Sequence, residues 1–534
     1  MNPEAQQPAP IPRQSLPLWI IAIAALLALH IRALWFICDD AFISFRYARS
    51  LVFGHGLVFN IGERVEGYTN FLWVLISAAV IRLGAQPEVW MPWLGAAIAI
   101  LNLAAIMWHL SRRGRSPLLA GALLATNCGY AAWATGGLET ALFTALVTGA
   151  FLSLWDSIDT GGSGRDNSNA VIRSAPLLAL ACLTRPDGAL IAICAAAFLF
   201  ARVMRSRLTF KSFLIWLAIW AIPLAGHLGW RLWYYGHPFP NSFYVKTSTW
   251  DMIPTGAQYL LDSFLAFHWY LLLIPLVYVL VRHRTIRATH TASQLAMVIA
   301  VPWLVYVCLV GGDFMDMFRF VVPVAPLILI GVAEYWQSMH TDLAARFSRR
   351  IAMAASVVLV VAMAVLNGYS TWQARQESYH HERDSIGLLR TYADNWRRIA
   401  DQIAQVSVPT DTLATTAAGI IPYYTGVHTI DQLGLVAPDL SQYHPRPNAR
   451  PGHTLLLDGA AMRKMLPQFI VGHPSIADRA DTARMALFLE KEWFDRIVMH
   501  YRPATITLSE SPPVYTSYLI RNDLAEGRLP APSR

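Results

Sequence analysis

The chain has 534 residues, of which 55% are hydrophobic and 14% are charged, and its formal net charge is +8. Soluble domains carry about 25% charged residues, so this composition excludes an ordinary soluble enzyme and indicates an integral membrane protein. The basic residues stand in short clusters between apolar runs, which is typical of membrane topology signals and gives no reason to expect a nucleic-acid partner. The five cysteines form no CxxC pair, which argues against a disulfide scaffold or a thiolate metal site.

Apolar runs long enough to cross a bilayer predict a polytopic α-helical membrane protein. The first run has no clear small-residue cleavage site, so we expect it to be a retained helix. A further run, 69–84, is predicted to be an interfacial or re-entrant helix. Only then do all the basic clusters between spans fall on the cytoplasmic side, together with the N-terminus. The predicted spans are about 16–37, 89–110, 117–134, 138–155, 171–184, 188–204, 212–233, 259–281, 292–311, 319–339 and 350–368.

The composition changes after the last of these eleven spans. We therefore predict a transmembrane module over 1–368 and an extracytoplasmic domain over 369–534. Residues 370–405 are predicted to be helical from the spacing of their apolar positions. Short β-rich runs follow at 412–417, 426–431 and 503–508, separated by Pro and Gly turns, which predicts an α+β or β-rich domain.

The strongest candidate for chemistry is the acidic pair Asp39 and Asp40, where the first span meets the outer surface. Adjacent carboxylates raise one another's proton affinity, which would suit one of them to act as a general base. Helix capping is the structural alternative, because Asp favours the first turn of a helix. Arg46 follows on the same predicted helix and could hold an anionic headgroup such as a phosphate.

Other polar residues lie at the predicted outer ends of the spans, as expected for a single site on one side of the membrane. His237 and Lys246 stand among aromatic residues in YYGHPFPNSFYVK, a composition suited to sugar stacking and phosphate binding, although an interfacial aromatic belt would look similar. Arg319 is a further candidate cation, with local pairing to Asp313 as the structural alternative. The remaining residues expected to line the site are Glu66, Tyr68, Asn70, Glu139, Arg185, Asp187, Asn241, Asp313 and Asp316.

The run DDAFISFRYARSLVFGHGLVFNIGERVEGYTNFLW, with GLETAL, TRPDG, YYGHPFPNSFYVK and GGDFMDMFRFVVP, resembles the membrane arabinofuranosyltransferases. These are GT-C glycosyltransferases that use polyprenyl-phosphate sugars, and the nearest group contains the mycobacterial terminal β-(1→2)-arabinofuranosyltransferase. The resemblance covers about residues 35–440, and AAGIIPYYTGVHTIDQLGL extends it into the tail.

The resemblance implies eleven spans, an acidic pair at Asp39 and Asp40 in the active site, and a tail that binds carbohydrate. It also implies inverting transfer of a pentofuranose, D-arabinofuranose above all, to an extracytoplasmic glycan. Arg46, His237, Lys246 and Arg319 are the candidates for holding the donor phosphate, so no metal or other cofactor is expected.

Two other functions are compatible with this composition. A flippase for a lipid-linked sugar would be expected to show inverted repeats or broken helices in matching halves, and neither is evident in the sequence. A non-catalytic carbohydrate-binding membrane protein would not need the acidic pair. Within the enzyme class, a glycosyltransferase acting on pilin protein is the alternative. The sequence contains no GxSxG, HExxH or P-loop motif.

Overall fold

A computed structural model describes residues 15–158, 166–245, 250–283, 290–381, 383–446, 449–474, 491–510 and 513–528. The helices are α1 (Leu16–Ala33), α2 (Asp39–Val52), α3 (Phe71–Arg82), α4 (Pro87–Arg112), α5 (Pro117–Ala125), α6 (Cys128–Ala132), α7 (Thr140–Ser157), α8 (Ser168–Thr184), α9 (Gly188–Met204), α10 (Phe210–Tyr235), α11 (Asn241–Val245), α12 (Ile253–Ala266), α13 (Leu273–His283), α14 (Thr291–Leu309), α15 (Ala325–Arg346), α16 (Arg349–Ala374), α17 (Ile386–Val406), α18 (Ile420–Thr425), α19 (Gly459–Met465), α20 (Lys491–Val498) and α21 (Asn522–Arg528). The strands are β1 (Tyr379–His380), β2 (Arg383–Asp384), β3 (Thr412–Thr415), β4 (His428–Asp431), β5 (Tyr443–Pro445), β6 (Leu455–Leu457), β7 (Phe469–Gly472), β8 (Tyr501–Glu510) and β9 (Pro513–Arg521).

The apolar helices make this a multi-pass membrane protein. Within the described residues, six helices are long and apolar enough to cross a bilayer: α1, α4, α7, α10, α14 and α16. The run Ile253–Ala266 with Trp269–Arg282 also qualifies as a pair, bent by 75°. The predicted total of eleven spans stays a prediction. Helix α3 has 12 residues and is about 18 Å long, too short for a hydrocarbon core of about 30 Å, as expected of a helix that does not span.

The chain divides into two compact units. The first contains residues 1–36, 91–229 and 248–387, and the second contains 37–90, 230–247 and 388–534. The first unit therefore holds most of the apolar helices, while the second joins the first predicted outer loop to most of the tail. The predicted boundary at 368/369 and the extracytoplasmic location of the tail stay predictions.

The prediction of one helix over 370–405 is wrong. Helix α16 ends at Ala374, and β1 and β2 pair antiparallel before α17 begins at Ile386. Backbone hydrogen bonds from Asp384 N to Phe314 O (2.9 Å) and from Asp316 N to Asp384 O (3.0 Å) fix this hairpin. Helical periodicity over the segment did not reveal these long-range partners, which decide the backbone conformation.

The second unit contains a mixed five-stranded sheet in the order β4-β3-β7-β9-β8. Strands β4, β3 and β7 are parallel, and β9 pairs antiparallel with both β7 and β8. Within this unit, helix α17 presents an apolar stripe that is buried, namely Leu389, Trp396, Ile399 and Ile403. A hairpin of β5 and β6 lies beside the sheet, with Tyr443 Oη donating to Asp431 O.

One apolar core joins the first outer loop to the tail within the second unit. It contains Ile43 and Tyr47 of α2, Phe59 and Tyr68 of the following loop, and Val74 of α3, with Ala418 and Val436 contributed by the tail. Two loops that are distant in sequence are thereby held against α2, and this core positions the candidate site.

Candidate active site

The acidic pair begins helix α2, but it does not cap that helix. The N-cap residue is Cys38 in an extended conformation, and no side chain bonds to the free N–H groups of the first turn. Instead, the Asp39 carboxylate accepts hydrogen bonds from Ile420 N (2.6 Å) and Gly419 N (3.1 Å). Asp40 is also half-buried, and no described residue donates a hydrogen bond to its carboxylate. Both carboxylates lie in the first turn, where the helix dipole favours negative charge, but the helix has no side-chain capping hydrogen bond.

Gly419 fits against Asp39 only because it has no side chain. A Cβ atom at position 419 would lie 2.0 Å from the Asp39 carbonyl oxygen and 2.6 Å from its carboxyl carbon. Gly419 has φ −96°, which other residues can adopt, so the restriction comes from contact rather than from the backbone angle. The loop between β3 and α18 therefore contacts the backbone and the carboxylate of Asp39 at a distance that only glycine allows at position 419.

Burial dominates the electrostatics around the pair. It raises the pKa of Asp39 to about 7 against the two backbone N–H groups, which lower it, and the neighbouring carboxylates of Asp40 and Asp431 add increases smaller than that of burial. Burial likewise raises the pKa of Asp431 to about 6, although Leu433 N and Val436 N donate to its carboxylate at 2.9 and 3.1 Å. A proton is therefore held or released near neutral pH at this place in the second unit.

Arg46 supports the site from inside the protein. Its buried guanidinium donates to the backbone oxygens of Phe59 (2.8 Å), Pro422 (2.5 Å) and Val427 (2.8 Å), and to the side chain of Asn60 (3.2 Å). These four acceptors engage all three nitrogens of the guanidinium and connect α2 to the loops around α18. This geometry favours a structural role for Arg46 in place of the predicted phosphate contact.

Glu66 and Tyr68, two predicted lining residues of the first outer loop, contact other residues of the second unit. The Glu66 carboxylate forms two short contacts with Arg231, 2.7 Å to Nε and 3.1 Å to Nη2. Burial raises the pKa of Glu66 to about 7, against the opposing charge of Arg231. Tyr68 Oη lies 3.1 Å from Tyr235 Oη.

Two amides complete this framework. Asn70 accepts a hydrogen bond from Ser44 Oγ at 3.0 Å. Asn241 Nδ2 lies within 2.9–3.1 Å of the carbonyl oxygens of Gly434, Leu435 and Ala437. Asn241 therefore holds the loop that follows β4.

Of the other predicted phosphate-binding cations in this region, His237 is exposed and its ring contacts Tyr244 edge to face. Lys246 lies outside the described residues.

The remaining predicted residues belong to the first unit and form ion pairs there. Arg185 contacts Glu139 at 2.9 Å and both carboxylate oxygens of Asp187 at 2.7 and 3.0 Å. Arg319 Nε lies 2.8 Å from Asp313 Oδ2, so the alternative of a local ion pair with Asp313 is the one observed. The Asp316 carboxylate accepts from His380 Nδ1 at 2.7 Å, so a partner distant in sequence occupies it.

Sequence reasoning missed three contributors to the site: Gly419, Asp431 and Arg231. The first two lie in the stretch AAGIIPYYTGVHTIDQLGL that carried the resemblance into the tail, so that stretch was the available signal. Arg231 lies in the last turns of the apolar helix α10, among aromatic residues, and no local pattern singled it out. Within the described ranges, no group of three or more His, Cys, Asp or Glu residues is arranged to hold a metal ion.

Comparison with known proteins confirms the resemblance read from the sequence. The chain is 27% identical over 60% of its length to a terminal β-(1→2)-arabinofuranosyltransferase of Corynebacterium glutamicum, and covers 53% of that protein. It is 30% identical over 46% of its length to the protein of the same name from Mycobacterium tuberculosis, and covers 40% of it. The chain thus spans about half the length of the curated relatives it matches. A domain of unknown function (DUF8728) matches residues 384–518.

Solved structures identify the fold. ArnT from Cupriavidus metallidurans bound to undecaprenyl phosphate matches with a TM-score of 0.58 at 11% identity, over 95% of this chain and 98% of that one. The apo form of the same protein matches with a TM-score of 0.53 at 12% identity, over 97% and 99%. The chain has the membrane GT-C fold predicted from the resemblance.

The arrangement around α2 provides two adjacent carboxylates with different surroundings. Asp39 is fixed by two backbone N–H groups, whereas Asp40 is half-buried and accepts no hydrogen bond from a described residue. Two like groups in unlike environments can take separate roles in acid–base chemistry. Geometry of this kind suits removal of a proton from a hydroxyl group.

Proposed function

We propose that the chain is an inverting glycosyltransferase that moves a pentofuranose, D-arabinofuranose, from a polyprenyl-phosphate donor to an extracytoplasmic glycan. The observation that carries this proposal is the fixed Asp39 beside the half-buried Asp40, in a chain similar to named arabinofuranosyltransferases. The lipid assignment is supported by ArnT, which has the same fold and is bound to undecaprenyl phosphate. The site faces the extracytoplasmic side of a bacterial inner membrane.

In this proposal Asp40 is the general base and Asp39 is a positioning residue. The Asp40 carboxylate takes the proton of the acceptor hydroxyl, and that oxygen attacks the anomeric carbon of the donor sugar. The bond between the anomeric carbon and the phosphate oxygen breaks on the opposite face, so polyprenyl phosphate leaves and the configuration inverts. The transition state has oxocarbenium character, which the nearby carboxylates stabilise.

The leaving phosphate needs a cation close to the donor. His237 and Lys246 are the proposed partners, since the buried Arg46 guanidinium already donates to four acceptors of the protein. Arg319 is a weaker proposal because it is paired with Asp313.

The test measures transfer from synthetic polyprenyl-phosphoryl-D-arabinofuranose to an arabinoside acceptor by the full chain in detergent. Asp40→Asn should reduce the rate by roughly 10²–10⁴-fold, the usual contribution of a positioned general base. Asp39→Asn should reduce it less, because the carboxamide keeps the size of the side chain and one of its acceptor oxygens. Asp523→Asn, an exposed carboxylate paired with Arg521, is the matched control and should transfer at the wild-type rate.

Each outcome decides a different part of the proposal. Full activity in Asp40→Asn would remove the assigned base, and a larger loss in Asp39→Asn than in Asp40→Asn would reverse the two roles. No transfer by folded wild type from this donor would refute the assignment of the donor sugar or the acceptor.

A further inference from the structure

One buried polar side chain of the second unit has no hydrogen-bond partner among the described residues. Gln432 is 1% exposed, and within the described residues neither its Oε1 nor its Nε2 makes a hydrogen bond. A buried carboxamide that has lost water without gaining a partner destabilises the fold, so such groups are rare in proteins and usually mark a function.

The backbone of Gln432 is fixed on both sides. Its N–H donates to Thr415 O at 3.0 Å, and its carbonyl accepts from Leu457 N at 2.8 Å. The adjacent Asp431 carboxylate is already engaged by the N–H groups of Leu433 and Val436. The unpartnered carboxamide therefore belongs to an ordered part of the chain and not to a surface loop that could turn it into solvent.

Gln432 lies where the parallel strands of the sheet end. Thr415, the last residue of β3, is in register with Asp431 of β4 and with Gly472 of β7. Ligands of sheets with parallel strands bind beyond the carboxyl ends of the strands. From Thr415 the chain reaches Gly419, which contacts Asp39, in only four residues, and the charge of Asp431 acts on Asp39. Gln432 and the loop that contacts Asp39 therefore both follow the carboxyl ends of neighbouring strands in this sheet.

We propose that the Gln432 carboxamide binds a hydroxyl group of the sugar substrate. Nε2 can donate to the hydroxyl oxygen, and Oε1 can accept its proton, so one side chain matches both properties of a hydroxyl. The assignment rests on the transferase function proposed above and names one of its specificity-determining residues. A site that buries such a group discriminates strongly against analogues that lack the hydroxyl, because the amide is then left unpaired.

The test combines stability with transfer in the full-length protein. Gln432→Met keeps the length of the side chain and removes both polar atoms. We expect its thermal unfolding temperature without ligand to equal or exceed that of wild type, while transfer falls by at least about tenfold. A rise in the KM for the acceptor would assign the hydroxyl to the acceptor, and a rise in the KM for the lipid-linked donor would assign it to the donor.

Two other glutamines of the same unit are controls. Gln468 Oε1 accepts from Thr412 N and Thr412 Oγ1 at 2.8 and 2.6 Å, so Gln468→Met removes real bonds and should lower the unfolding temperature. Gln442 is half-buried in the turn before β5, where its Nε2 donates to Asp439 Oδ2 at 3.3 Å, and Gln442→Met should leave transfer unchanged and change stability little. The combination of retained stability and lost transfer is specific to Gln432→Met.

Failure of this inference differs from failure of the proposed function. If Gln432→Met unfolds earlier than wild type and transfers normally, the amide holds a buried water and the inference is wrong. If wild type shows no transfer, thermal stabilisation by an arabinofuranoside oligosaccharide still tests Gln432. Stabilisation of wild type but not of Gln432→Met would support the assignment, whereas equal shifts in both, or none in either, would overturn it.

Discussion

Replacement of Gly419 by alanine tests the arrangement of the acidic pair most directly. The new Cβ would lie 2.0 Å from the Asp39 carbonyl oxygen, whereas Cβ atoms essentially never come closer than 3.0 Å to another heavy atom. The loop or the start of α2 must therefore move by at least 3.0 − 2.0 = 1.0 Å. Both neighbours are backbone or the carboxylate itself, so no flexible side-chain end can absorb this shift.

The expected losses of stability and of transfer rate follow from that displacement. Added to the 2.6 Å between Ile420 N and Asp39 Oδ1, a shift of 1.0 Å gives 3.6 Å, which is too long for a hydrogen bond. A bond to a charged group contributes about 1.5–3 kcal/mol, so we expect the free energy of unfolding to fall by about that amount. Displacement of catalytic groups by about 1 Å lowers rates by roughly 10²-fold, and we expect transfer to fall to that extent.

The assay is sugar transfer by detergent-purified protein, with thermal unfolding measured on the same samples. Gly527→Ala is the control, since Gly527 lies in α21 of the same unit and has open space around its Cβ position. There alanine should leave transfer unchanged and keep or slightly raise stability. Transfer by Gly419→Ala within twofold of wild type would refute the geometry described for Asp39.

Two further substitutions separate structural from chemical roles. In the native state burial raises the pKa of Asp39 from its usual value near 4 to about 7, so the folded chain binds the proton more tightly than the unfolded chain between these values. The stability that this protonation contributes is fully present below about pH 4 and is lost as the pH rises through 7. The unfolding temperature of wild type relative to Asp39→Asn should therefore decrease between pH 5 and pH 8, and a pH-independent difference would contradict the raised pKa. Arg46→Lys should lower the free energy of unfolding by at least about 3 kcal/mol, because an ammonium group cannot serve the four acceptors of the guanidinium, without changing the KM for the donor in the folded fraction. Normal stability with a raised donor KM would instead restore the phosphate-binding role.

The sequence alone identified much of the membrane module because its physical signal is local. A long run of apolar residues is unfavourable in water and must be buried in lipid or in protein, so α1, α4 and α16 could be recognised from composition and length. Chain order and residue type also singled out Asp39 and Asp40, since two adjacent carboxylates at the end of an apolar run need a reason. The β-rich runs at 412–417 and 426–431 became β3 and β4 because strand propensity and the hydrophobic pattern agreed there.

Only the tertiary structure decided what those residues touch. Arg46 and Asn241 appeared to be free for a ligand, yet both donate to carbonyl groups of residues 422 to 437, more than 190 positions away from Asn241 and more than 370 from Arg46. The difference between Asp39 and Asp40, the contact with Gly419 and the unpartnered amide of Gln432 were equally absent from any local pattern. Composition and periodicity report whether a segment prefers water, lipid or a protein core. Hydrogen bonds and burial depend on which distant segments are brought together, and a single sequence does not contain those distances.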